Sequence, residues 1–274
     1  MTRRCALTGA SGYVGGAVEA ALSRAGWTVV RLLRAPQRDG DVLFRLGTPV
    51  DASALHGVDA LIHCAYDATD PRRNVLGSIT LFEEARRAGV HRRVFVSTVS
   101  AFEGCPSRYG HGKLEVERAV AAEGAIAVRP GLVWGGANRG VFGALCRLAR
   151  LPVLPVFDGG LQPFVLAHVD DLAAALVAAL DWDPASIAKP VMLAHPQLWP
   201  FRTLLQTIGR TQGHSVRTFS LPGSLALRAL RVAEWARVPL PLRSDNLLGL
   251  LFPSPDLAED ARAARGEFRR FAEQ

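Results

Sequence analysis

Lysine is nearly missing from this chain. Of its 32 basic residues only Lys113 and Lys189 are lysines, so arginine supplies the other 30 cations. A bias of that kind follows from gene composition as readily as from function, which makes the two surviving lysines more informative than the arginines. Cysteine is scarce too. Cys5, Cys64, Cys105 and Cys146 lie far apart and form no CxxC pair, which excludes a zinc ribbon and a redox dithiol and leaves reduced, mostly buried thiols as the expectation. No grouping of His, Cys and acidic residues has metal-ligand spacing, so no metal is expected. Long apolar runs are absent as well. The most apolar stretch, Leu172 to Leu180, falls far short of the roughly 18 residues that a membrane span needs, and no membrane partner is expected. Arginines come as scattered pairs, such as Arg72 with Arg73 and Arg269 with Arg270, rather than as a basic tail, so no nucleic-acid partner is expected either. Gly9, Ser11, Gly12, Gly15 and Gly16 interrupt any apolar region after Arg3 and Arg4, which argues against a secretion signal and for a cytoplasmic protein.

What is present describes a globular α/β chain. With 274 residues, 49% hydrophobic and 21% charged, it can bury one large core or a core plus a modest second lobe. The formal charge of +7 raises the local concentration of anions such as nucleotides and phosphorylated substrates. Strand-like CALTG, helical VGGAVEAALSRAG and strand-like WTVVRLLR open the chain as a βαβ unit, with Gly26 ending the helix. Strand-like runs recur at 60–66, 94–100 and 125–131, separated by helical patterns at 74–89 and 109–123. Apolar strands spaced by helices predict a Rossmann-type, doubly wound parallel sheet covered on both faces. Helical patterns at 201–213, 222–238, 244–250 and 256–273 predict a smaller, mainly helical C-terminal lobe. The expected division is a nucleotide-binding domain over 1–195, with 132–165 contributing to the substrate cleft, and a substrate-binding lobe over 196–274.

The segment TGASGYVG follows the first strand and opens the first helix. In that context Gly9 permits the tight turn, Gly12 the approach of a pyrophosphate and Gly15 close helix–strand packing, while the helix N-terminus offers free N–H groups to the anion. At the end of the second strand an acid usually meets a free ribose 2′-hydroxyl. Arg34 stands near that place, and its planar fork of donors suits a 2′-phosphate, so NADP is favoured over NAD.

Tyr109 and Lys113, in YGHGK, are four residues apart and share one helix face. An ammonium beside a phenol favours the phenolate and lowers its pKa from about 10 toward neutrality, where it exchanges a proton with an alcohol or ketone. Thr98, ending VFVST, can polarise the same substrate oxygen, and Lys113 can reach a nicotinamide ribose. His111 lies between the pair but points to another face, and is not counted with them.

Taken together, TGASGYVG, VDALIHCAY, NVLGS, VFVSTVSAF, YGHGK, VRPGLVWG and FVLAHVDDLAAAL make the chain resemble the extended short-chain dehydrogenase/reductase superfamily, also called the NAD-dependent epimerase/dehydratase family, over about residues 5–185. The resemblance implies Thr98 as the hydroxyl residue, Tyr109 as the acid/base and Lys113 as its partner. It implies cofactor contacts from Gly9, Ser11, Gly12, Tyr13, Val14, Gly15, Ala65, Tyr66, Asn74 and Pro130, beside Arg34, Thr98, Tyr109 and Lys113. The activity implied is NAD(P)-dependent hydride transfer between the nicotinamide and a carbonyl compound or secondary alcohol. A nucleotide-sugar epimerase is the alternative. A non-catalytic NADP sensor is a second, disfavoured by the intact acid/base set. A small-molecule substrate is expected, either a sugar nucleotide or an apolar carbonyl compound, and a homodimer is allowed.

The sequence also departs from the family. Val99-Ser100 stands where water-eliminating members carry an Asp-Glu pair, so 4,6-dehydratase chemistry is not expected. Gly110 and Gly112 place two glycines in one helical turn and predict a loose helix start. An aspartate of His168-Val169-Asp170-Asp171 is expected to cap the following helix, and His63 to pack or hydrogen-bond at a strand end.

Overall fold

A computed structural model describes residues 2–238 and 243–272. Pro239 to Leu242, within the apolar C-terminal stretch, and Glu273 and Gln274 lie outside the described residues. The chain opens with β1 (Arg4–Thr8), α1 (Tyr13–Arg24), β2 (Thr28–Leu33), β3 (Val42–Leu43) and β4 (Ala60–His63). It continues through α2 (Pro71–Arg87), β5 (Arg92–Val96), α3 (Arg108–Ala122), β6 (Ile126–Pro130), β7 (Leu132–Trp134) and α4 (Gly140–Leu148). Then come β8 (Val153–Phe157), β9 (Pro163–His168), α5 (Val169–Ala178), β10 (Val191–Leu193), β11 (His195–Pro200) and α6 (Phe201–Thr211). β12 (Arg217–Leu221), α7 (Gly223–Trp235), α8 (Ser244–Leu251) and α9 (Leu257–Arg262) complete it.

The main sheet has seven parallel strands in the order β10-β6-β5-β4-β1-β2-β3. Its strands read as mainly apolar runs because both faces are covered. Cys5 and Leu7 point to one face, where they meet Val18 and Leu22 of α1 and Leu172 and Leu176 of α5. Ala6 points to the other, with Leu81 and Phe82 of α2 and Val116 and Val120 of α3. Strand order reverses between β1 and β4, so the crevice beyond their carboxyl ends is the place where such sheets bind ligands.

A second core gathers Trp134, Phe142, Leu154, Leu204, Ile208 and Phe271 between the β11-β9-β7 sheet, the β8–β12 pair, α4 and α6. The sequence pattern predicts a helix over 256–273, yet only α9 forms. Beyond it, Arg265 N–H donates to Met192 O at 3.0 Å, Arg269 pairs with Asp171 and Phe271 inserts against Trp134. These anchors hold the chain away from a continuous helix, so tertiary packing overrides local period. The cap of α5 also differs from expectation: His168 Nδ1 accepts from Asp170 N–H at 3.3 Å, while Asp171 is occupied by Arg269.

Candidate active site

The turn between β1 and α1 is shaped by its own backbone. Gly9 has φ 74°, and a Cβ there would lie 2.9 Å from Ala65 N at the end of β4. A Cβ at Gly15 would overlap the Gly9 carbonyl, and Gly12 N–H donates to that carbonyl at 2.8 Å. α1 then starts with no side chain capping it, and Ser11 and Gly12 are exposed. Bare N–H groups beside exposed glycine, at the strand-order reversal, fit the pyrophosphate of a dinucleotide. Tyr13 Oη–H donates to Gly135 O at 2.5 Å and ties this helix start to the loop after β7, while Val14 packs on the core.

Beneath the turn, Thr8 Oγ1 accepts from Cys64 N–H and Ala65 N–H, both at 3.2 Å, and donates to His63 Nδ1 at 2.6 Å. Nε2–H of His63 donates to Ser78 Oγ at 2.9 Å, and Ser78 donates in turn to Asn74 O at 2.6 Å. His63 is fully buried, and burial, with the Lys113 charge second, pushes its pKa down to about 3. It is therefore a neutral connector, as expected of a strand-end histidine. Asn74 directs its side chain at the β4–α2 loop, donating to Asp67 O and Asp70 O and accepting from Asp67 N–H at 2.7 Å.

A pocket beside this network brings together Ala65, Tyr66, Asn74, Tyr109, Gly112 and Lys113, with Phe95 and Arg108. Arg34 lies exposed after β2 and Pro130 closes β6, so both sit at carboxyl ends of strands but do not line that pocket. Tyr109 rests edge-on against Tyr66 with ring centroids 5.0 Å apart. Its pKa is pushed up to about 12, chiefly by burial and then by Tyr66, with a hydrogen bond to Thr98 pulling the other way. The expected depression by Lys113 is not found. The ammonium instead donates to Val96 O at 2.8 Å and lies 4.6 Å from the centre of the Phe95 ring. Burial explains this, because an enclosed ammonium needs an acceptor and the carboxyl end of β5 supplies one. The same burial pushes the Lys113 pKa down to about 8.

The start of α3 is not loose. Gly110 lies so close to the Ser100 carbonyl that no Cβ fits, so this glycine serves packing. Ser107 caps Gly110 N–H at 3.0 Å. A second cap comes from α8, which sequence reasoning missed: the Asp245 carboxylate accepts from Arg108 N–H at 2.6 Å and Tyr109 N–H at 3.3 Å. Asp245→Ala is expected to lower kcat and to remove about 1 kcal/mol of helix stability. Asp245→Asn, which keeps one acceptor, should recover most of both. Unchanged kcat in the alanine variant would confine Asp245 to a role in stability.

The NAD dependent epimerase/dehydratase family matches residues 5–190. The chain belongs to that family. It is an enzyme of the family, and among the described residues no group of His, Cys, Asp and Glu is placed to hold a metal. It is 25% identical to UDP-glucose 4-epimerase of Vibrio cholerae over 94% of this chain and 85% of that one. It is 34% identical to ceramide reductase of Caulobacter vibrioides over 63% of this chain and 59% of that enzyme. The solved structure of MoeE5 in complex with UDP-glucose and NAD superposes with a TM-score of 0.66 at 21% identity, over 80% of this chain and 85% of that one, and shares its fold.

Proposed function

We propose that the protein is an NAD(P)-dependent oxidoreductase that reduces a carbonyl compound, with Tyr109 donating the proton. The observation that carries this reading is the pocket, which brings the Tyr109 phenol together with the buried Lys113 beside the end of β4, with Tyr109 set edge-on against Tyr66. Thr98 and Tyr109 would hold the substrate oxygen between two hydroxyls, which polarises the carbonyl and delivers the proton as charge develops on oxygen. Lys113 would supply positive potential and, by turning from Val96 O, reach a ribose. The turn from Gly9 to Gly15 would hold the pyrophosphate, with Ala65, Tyr66, Asn74 and Pro130 along the same edge of the sheet. When bound, the nicotinamide supplies hydride to the carbonyl carbon. Residues 1–195 would form the nucleotide-binding part and 196–274, with 132–165, the substrate side.

The cofactor of this reading is NADP. Asp41, an acid packed against β2, is already committed. Asp41 accepts two hydrogen bonds from Arg31, at 2.6 and 2.7 Å, together with the N–H groups of Gln37 and Arg38. That leaves it poorly placed to grip a ribose diol, while Arg34 is exposed at the strand end for a 2′-phosphate. Arg34→Glu is expected to weaken NADPH about tenfold or more and NADH far less. Equal losses for both, measured by titration, would remove the preference.

A second reading, nucleotide-sugar epimerase, is favoured by the extended match to the Vibrio cholerae enzyme. Incubation with a panel of carbonyl compounds and sugar nucleotides separates the two. Stoichiometric consumption of NADPH supports the reductase, whereas sugar conversion with no net change in nicotinamide would replace it with the epimerase.

A further inference from the structure

Among the described α-helices, α7 is the least covered. Gly223 is its only buried residue. Leu225, Val232 and Trp235 are 60, 64 and 86% exposed, and Val238 just beyond is 48% exposed. At helical spacing Leu225, Ala229, Val232 and Ala236 fall on one stripe, and exposed Arg228, Arg231 and Trp235 flank it along one side. Arg237 follows, also exposed. α7 itself adds no free carboxylate to this face. Glu234, the one acid of α7, is half-buried and accepts from both N–H and Oγ–H of Ser244 at 2.7 Å.

An apolar stripe edged by arginines, with an indole at its margin, is the composition of a helix that lies in a membrane interface. The aliphatic side chains enter the acyl boundary, the indole sits at headgroup level, and the guanidinium groups meet lipid phosphates. The charge is of one sign, which selects an anionic surface over a neutral one. We propose that α7 docks this protein on an anionic lipid bilayer, lying along the surface. Among the described residues no helix is long and apolar enough to cross a membrane. The expectation of no membrane partner rested on spanning length, which a surface helix does not need. Docking goes beyond the oxidoreductase reading and stands apart from it, although Ser244, held by Glu234, is the neighbour of the Asp245 that caps α3.

The test is cosedimentation of the full chain with vesicles of phosphatidylcholine and phosphatidylglycerol in equal parts, and with phosphatidylcholine alone. Binding to the anionic vesicles is expected, weakened about tenfold or more by Arg228→Gln with Arg231→Gln and by raised salt. Val232→Glu with Trp235→Glu should abolish it while thermal unfolding stays as in the wild type. Absence of binding to anionic vesicles, equal binding to neutral ones, or undiminished binding by the glutamate variant would each overturn the proposal. So would a dimer seen by light scattering that the glutamate variant dissociates without any vesicle binding, which would assign the face to a second copy of the chain.

Discussion

Tyr109→Phe is expected to lower kcat by about a hundred- to ten-thousand-fold while NADPH binding persists. The substitution removes one oxygen and leaves the ring against Tyr66, so packing is preserved and the proton is lost. Burial pushes the phenol pKa up, so Tyr109 stays protonated throughout the neutral range and carries the proton that the proposed reduction uses. The reverse step, oxidation of an alcohol, uses the phenolate, which Lys113 would favour more strongly on turning away from Val96 O. NADPH titration beside steady-state rates checks both halves of the expectation. Turnover retained by the phenylalanine variant would remove Tyr109 from the chemistry.

Gly110→Ala and Gly112→Ala, two residues apart on α3, should act in opposite directions. At Gly110 the new methyl would collide with the Ser100 carbonyl, which is backbone and cannot rotate away. Either the start of α3 or the loop after Thr98 must move, at a cost of about 3 kcal/mol, and because both carry proposed active-site groups, activity should fall with stability. At Gly112 the nearest atom is Val75 Cγ2 at 3.4 Å, an ordinary contact. Here alanine should stabilise by about 1 kcal/mol through helix propensity, raising Tm by about 2–4 °C. Thermal unfolding of the two variants side by side decides it. Equal stability would mean that the approach of Gly110 to Ser100 is not a constraint on the fold.

The α/β rhythm was legible in the sequence because the central strands of the main sheet are buried on both faces and the helices that cover it on one, so periodicity there reports directly on burial. Glycine spacing identified the β1–α1 turn for a related reason: Gly9 and Gly15 are required by contacts within a few residues or with the adjacent strand end. What could not be read depends on partners distant in the chain. Asp245 lies 136 residues from Tyr109, and nothing in a Ser-Asp-Asn segment says which amide groups it will meet. The extended path after α9 is set by Met192, Asp171 and the second core. Spacing placed Lys113 on the same helix face as Tyr109 but could not show that a carbonyl would claim the ammonium. The chain has three tyrosines, Tyr13, Tyr66 and Tyr109, and all three stand at the turn or in the pocket, a convergence visible only once β1, β4 and α3 are aligned.

The double cap of α3 sets a rule for recombining this protein with its relatives. The first amide groups of the helix that carries Tyr109 are answered by a carboxylate from near the far end of the chain. The C-terminal segment is therefore no freely interchangeable specificity cassette. A chimera that grafts this segment from a relative inherits a working tyrosine turn only if the graft returns an acceptor to the place of Asp245.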